Sequence, residues 1–127
     1  MSNWIFVFND DDRVFQVRID EKTWPIFRKT PNRNRLRVGD NIIFYKSGTN
    51  GKKFIGKASI ESNLQRVDQF DYSLKLSGIK VWKKPVKVSK VINNLEFISD
   101  KTFWGRYFQG GVRSINDSDF EVILSKT

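Results

Sequence analysis

Short, strongly apolar runs alternate with polar, basic connections along this chain. Residues Asn3 to Phe8 carry large apolar side chains with almost no polar break, the pattern of a buried strand. Asn9 to Asp12 supplies helix-capping residue types and negative charge suited to a helix N-terminus. Residues 11 to 19 then read as a short helix, although Phe15, Val17 and Ile19 also fit a strand. From Asp20 to Val38, Pro25 and Pro31 break any period, and the stretch reads as a loop. Loops that long in compact domains are usually functional or disordered, and a tryptophan, a phenylalanine and a run of arginines argue against plain disorder.

Gly39-Asp40 forms a turn before a strand at Asn41 to Lys46. Ser47 to Gly51 is a hairpin loop ending in Asn-Gly, and Phe54 to Glu61 is the return strand. Gly56 marks a bulge or a close approach within it. Residues 62 to 71 read as loop. Tyr72 to Trp82 alternates, with Tyr72, Leu74 and Leu76 on one side and Gly78 marking a bulge. Pro85 to Val91 reads as a separate, edge-like strand. Ile92 to Ile98 and Asp100 to Tyr107 each predict a turn or a single helical turn, and Gly110-Gly111 precedes a short strand at Val112 to Ile115. Asn116 to Leu124 is the clearest helix, with Ser118 and Glu121 at capping-box spacing and Phe120, Ile123 and Leu124 on one face. About six strands, two or three short helices and no βαβ repeat predict an α+β domain built as a small mixed β-barrel.

At 127 residues the chain reads as one domain, long enough to bury a core without staples. It has no Cys, which excludes disulfides and thiolate metal sites, and no His, which removes the commonest general base. No run approaches a spanning helix and the N-terminus lacks a signal-peptide pattern, so the expectation is a soluble, cytoplasmic protein with no membrane partner. The formal net charge of +9 favours a polyanion. The charge is also segregated: ten Lys/Arg against the single acid Asp40 lie between Lys22 and Lys57. Acids cluster instead at residues 10 to 12 and 117 to 121.

Trp24, set between Thr23 and Pro25, opens the basic loop and offers a flat face on which a base can stack. Asn9 either caps a helix or presents an amide, donor and acceptor together, to a base edge. Trp4, alternating with Phe6 and Phe8, and Trp82 read as core, whereas Trp104 fits a pocket rim and a packing role equally. Arg28, Lys29, Arg33, Arg35, Lys52 and Lys53 would position a phosphate backbone without reading sequence, and Arg106 would approach a phosphate from the Gly105 turn. No acid/base pair is ordered by spacing, and Gly48 to Lys53 lacks the spacing and helix of a phosphate-binding loop. The residues therefore predict a binding module, not an enzyme, with no cofactor and no metal.

The order of landmarks resembles the EVE domain, a PUA-like relative of the YTH domain. It runs from Asn3-Trp4-Ile5 and Asn9 through Trp24, Asn34, Leu36 and Val38-Gly39-Asp40. Ile43-Phe44-Tyr45, Ile55-Gly56-Lys57-Ala58 and Leu95-Glu96-Phe97-Ile98 follow, then Phe103-Trp104-Gly105, Gly110 to Arg113 and a closing helix from Asp119 to Leu124. The resemblance implies a barrel with a pocket for a flipped, modified base. In it Trp24 matches a cage tryptophan and Asn9 a strand-end polar position facing the pocket. No second cage tryptophan maps onto residues 62 to 82, where Phe70 and Tyr72 are the substitutes. The implied partner is DNA or RNA carrying a modified base. The alternative is a small-molecule binder taking a free base or nucleotide in the same pocket.

Overall fold

The computed structural model describes residues 1–9, 11–68 and 71–127. Seven strands, β1 (Asn3–Phe8), β2 (Thr23–Phe27), β3 (Asn41–Lys46), β4 (Lys53–Ile60), β5 (Gln65–Arg66), β6 (Asp71–Lys87) and β7 (Val112–Ile115), form one sheet. Their order is β2-β6-β4-β3-β1-β7, with the two-residue β5 paired to β6. The central β1 and β3 run parallel, and all other pairs are antiparallel. Two helices complete the α+β fold: α1 (Asp12–Glu21) and α2 (Asp117–Leu124).

β1 and β3 are unbroken apolar runs because both of their faces are covered. Trp4, Phe6 and Phe8 join Ile42 and Phe44 in one core, which also takes Phe15 from α1 and Trp24 and Ile26 from β2. Ile5, Ile43 and Tyr45 point the other way, into a second core closed by Val88, Val91, Leu95, Ile98 and Phe108 and by Ile123 of α2. β6 serves both cores. Leu74 and Leu76 face the first, and Trp82 and Val86, at the same even positions, face the second. The switch falls at Gly78, whose φ of +58° lies in the left-handed region, where the pairing with β4 slips between Ser59–Ser77 and Lys57–Lys80. One extra residue reverses the alternation of everything beyond it. The expected bulge is therefore the device that lets one strand line two cores.

Four sequence expectations change. The stretch from Asp20 to Val38 is not all loop, since Thr23–Phe27 is a strand. Its proline is tolerated because β2 is an edge strand pairing with β6 alone. Residues 62 to 71, read as loop, contribute β5 and the start of β6. Pro85 does not start a separate strand: β6 runs through it, at the irregularity between the Gly56–Val81 and Phe54–Val86 pairs where the ladder is already interrupted. The N-cap of α2 is Asn116, not Ser118; its side chain accepts the Asp119 N–H at 2.7 Å. The Asp119 carboxylate, fully buried, turns away from the helix and accepts the Glu96 and Phe97 N–H groups at 2.7 and 3.0 Å. It thus ties the closing helix to the segment covering the second core. Gly56 is a close approach as expected, since a Cβ there would lie 2.6 Å from the Lys80 carbonyl oxygen.

Asp40 does the corresponding work at the other core. Its buried carboxylate accepts the Trp4 indole N–H at 2.9 Å, the Arg37 N–H at 3.0 Å and the Ser2 N–H at 3.1 Å. Asp40→Ala leaves an indole N–H without a partner inside the core. The expected loss is about 3 kcal/mol of unfolding free energy, read by urea denaturation; a loss below about 1 kcal/mol would mean that the carboxylate is dispensable.

Candidate nucleic-acid interface

The sheet curls without closing, and a cavity of about 220 Å³ lies between its two ends. One wall is Trp24, Pro25, Ile26 and Phe27 of β2. The other is Val7, Phe8 and Asn9 at the end of β1, with Gly111 and Val112 entering β7. Trp24 and Asn9, singled out from sequence, therefore meet in one cavity, along with Arg18 of α1, for which the sequence carried no signal. Asn9 is exposed, and among the described residues its amide has no side-chain hydrogen bond. It does not cap α1. Asp11 does, accepting the Val14 N–H at 3.0 Å.

Trp24 is not the exposed face that its polar neighbours in sequence suggested. Only 3% of it is accessible. Phe44 packs against the indole at 5.0 Å between centroids, and Phe6, Phe8 and Phe15 surround it at 5.9 to 6.0 Å. The Arg18 guanidinium lies 4.8 Å from the ring centroid. A ring stacking on the cavity side of the indole must displace that guanidinium. A cation–π contact is worth about 0.5–2 kcal/mol. Base stacking on an aromatic side chain is worth about 1–3 kcal/mol, a contact of similar size.

Tyr72 sits next door. It lines a neighbouring hollow that shares Arg18, Pro25 and Phe27 with the Trp24 cavity, and the Arg33 guanidinium lies 5.1 Å from its ring centroid. Phe70, the other aromatic expected there, lies outside the described residues. Trp104 belongs elsewhere. It lines a separate cavity with Tyr45, Phe103 and Phe108, and its ring stands edge-on to Phe108 at 5.9 Å.

The basic loop crosses the open seam of the sheet. Asn32 donates to the Val112 carbonyl at 3.2 Å, and Pro31 packs on Gly110, where an added Cβ would lie 3.0 Å from the proline Cγ. Arg28 and Lys29 follow β2 directly; Arg33 and Arg35 sit on a 3₁₀ turn. Arg33 donates to the Arg28 carbonyl and the Asn34 amide oxygen, and Arg35 to the Asn32 amide oxygen. These partners are uncharged, so the guanidinium charge is not neutralised by them. Lys52 and Lys53 lie on the β3–β4 hairpin, beside the Trp104 cavity instead. Arg106 is engaged locally: it donates to the Tyr107 hydroxyl at 3.1 Å and stands 3.9 Å from the Asp100 carboxylate.

Two predictions follow from this packing. Trp24→Ala is expected to cost about 3–5 kcal/mol of stability, as for other buried aromatic truncations, whereas Asn9→Ala should stay within about 0.5 kcal/mol, as for other surface changes; paired denaturation curves check both. The second concerns ionisation. The Tyr107 phenol is lowered from 10.0 to about 8 by its bond with Ser99 Oγ, then by Arg106 and by the Asp100 N–H. Folding thus favours the phenolate: that contribution is full above the unfolded value of 10.0 and is lost as pH falls through about 8. Burial pushes Tyr45 the other way, up. A phenolate absorbance titration should show one tyrosine ionising near 8, absent in Tyr107→Phe, and Tyr45 ionising above the ordinary tyrosine range.

Comparison with known proteins agrees with this architecture. A UPF0310 protein of Mycolicibacterium gilvum is 28% identical to this chain, the match covering 98% of the chain and 94% of the relative. The N-terminal domain of Staphylothermus marinus McrB superposes with a TM-score of 0.71 at 14% identity, over 98% of this chain and 94% of that one. Human THYN1, solved in complex with 5-methylcytosine-containing DNA, superposes with a TM-score of 0.68 at 10% identity, over 99% and 97%. No helix among the described residues is long and apolar enough to cross a membrane. The EVE domain profile matches residues 2–126, and the chain belongs to the EVE domain family.

Proposed function

We propose that this protein is a non-enzymatic nucleic-acid-binding module that admits one extruded, modified base to the cavity between β2 and the β1–β7 end of the sheet. The observation that carries this reading is the convergence, in that one cavity, of an indole, an amide with no side-chain hydrogen bond among the described residues and a basic loop across the opening. Trp24 takes the base face once Arg18 moves aside, and Asn9 reads the base edge through donor and acceptor. Arg28, Lys29, Arg33 and Arg35 hold the flanking phosphates. The cavity, at about 220 Å³, falls below the roughly 300–1,000 Å³ of sites for drug-sized ligands. That favours a single ring over a whole free nucleotide. The fold supports the same reading, since human THYN1 presents it in complex with 5-methylcytosine-containing DNA. Unpaired or mismatched sites should bind best, because less pairing is lost on extrusion.

The test is tryptophan fluorescence titration with matched single strands, unmodified or carrying methylated cytosine or methylated adenine, at two salt concentrations. Three phosphate contacts predict a drop in affinity of about twentyfold between roughly 50 and 200 mM salt. Asn9→Ala should erase the preference for one modified strand while keeping the salt-sensitive part. Affinity that is flat in salt and met equally by a free base would replace this reading with the small-molecule one.

A further inference from the structure

The cavity on the opposite face of the sheet has no role in that reading. It holds about 500 Å³ and is lined by Tyr45, Ser47, Lys52, Phe103, Trp104 and Phe108 among others. Tyr45 is only 1% exposed, yet its hydroxyl has no hydrogen-bond partner among the described residues. The ring is buried, but the hydroxyl oxygen is not sealed from solvent. Phe108 stacks on the Tyr45 ring at 3.9 Å and Phe54 packs at 5.2 Å, which leaves the hydroxyl as the part that reaches the cavity. Phe103 is 74% exposed beside it, and Trp104 is half-buried. At the rim, Lys52 is held at a left-handed φ of 64° while its N–H bonds the Lys46 carbonyl at 2.7 Å. A donor on the floor, aromatic faces on the wall and a cation at the rim fit a planar ring joined to an anionic group.

The two cavities are neighbours. Ser47, lining the second, donates to the carbonyl of Phe8, which lines the first, from its N–H at 2.9 Å and its hydroxyl at 3.3 Å. Gln109 lines the second and Gly111 the first, and two residues of chain span at most about 7 Å. Both therefore border the same end of β1, where residues lining one cavity are bonded to residues lining the other.

Resting on the base-reading role above, we propose that this cavity is a second subsite, which takes the base adjoining the extruded one. That base stacks on Trp104 and Phe103, the Tyr45 hydroxyl donates to its edge, and Lys52 meets the phosphate between the two nucleotides. The module then reads the modified base together with one neighbour.

The test uses the same single strands, with an abasic position on one side or the other of the methylated base, against wild type, Trp104→Ala, Tyr45→Phe and Asn9→Ala. An abasic position on one side only is expected to weaken wild-type binding about tenfold. Trp104→Ala should weaken the intact strand about tenfold and leave the strand abasic on that side no weaker than it already is. Tyr45→Phe keeps the stack on Phe108 and should flatten the preference among neighbouring bases. If Asn9→Ala abolishes the modified-base preference while Trp104→Ala and the abasic change act additively, or neither acts, the second subsite alone is overturned. If Asn9→Ala leaves that preference intact while the Trp104 cycle is non-additive, the first pocket is misassigned and the second subsite stands. No binding to any strand overturns both.

Discussion

The structure depends on one constraint: its two central strands carry large apolar side chains on both faces. A single layer of helices cannot cover β1 and β3, so the chain must supply cover twice. On one side the sheet curls over itself, and β2 and α1 bring Trp24, Ile26 and Phe15 onto Trp4, Phe6 and Phe44. On the other, the irregular segment after β6 and helix α2 close over Ile5, Ile43 and Tyr45. Two buried carboxylates secure the arrangement, Asp40 beneath Trp4 and Asp119 beneath the 96–97 backbone.

The candidate site is a by-product of that curling. A sheet whose ends are β2 and β7 approaches closure without pairing them. The gap leaves a wall of aromatic core exposed to one cavity, and the loop that spans it is the most basic part of the chain. Trp24 thereby has two roles that a sequence tends to separate. It packs with four phenylalanines and it lines the cavity, so any truncation would loosen the core and reshape the cavity together. Asn9 carries no such burden, being exposed at the strand end.

The strand that connects the two cores shows how a single glycine organises a fold. Without the left-handed turn at Gly78, Trp82 and Val86 would fall on the side of Leu74 and Leu76, and the second core would lose its edge. A second mismatch with β4, between the Gly56–Val81 and Phe54–Val86 pairs, gives room to Pro85, which the ladder would otherwise reject.

Local pattern alone determined β1, β3, β7 and α2, because each is a run whose period or unbroken apolarity has one physical reading, whereas α1 also fitted a strand and was favoured only by the capping residues before it. The bulge at Gly78 and the close approach at Gly56 were legible because a glycine inside a strand marks such places: the left-handed φ of Gly78 favours it, and the Lys80 carbonyl leaves no room for a Cβ at Gly56. Trp24 and Asn9 were legible as chemistry, an aromatic face and a paired donor and acceptor. Tertiary structure alone decided what those residues touch. Thr23–Phe27 is a strand because β6 offers it an edge, a pairing nearly fifty residues away that no local propensity encodes. The same long-range pairing buries Trp24, the packing of α1 brings Arg18 over it, and Trp104 lies in a different cavity against the second core. Folding likewise decides that the Tyr45 hydroxyl has no hydrogen-bond partner among the described residues, since which neighbours a side chain meets is assembled only in the tertiary structure.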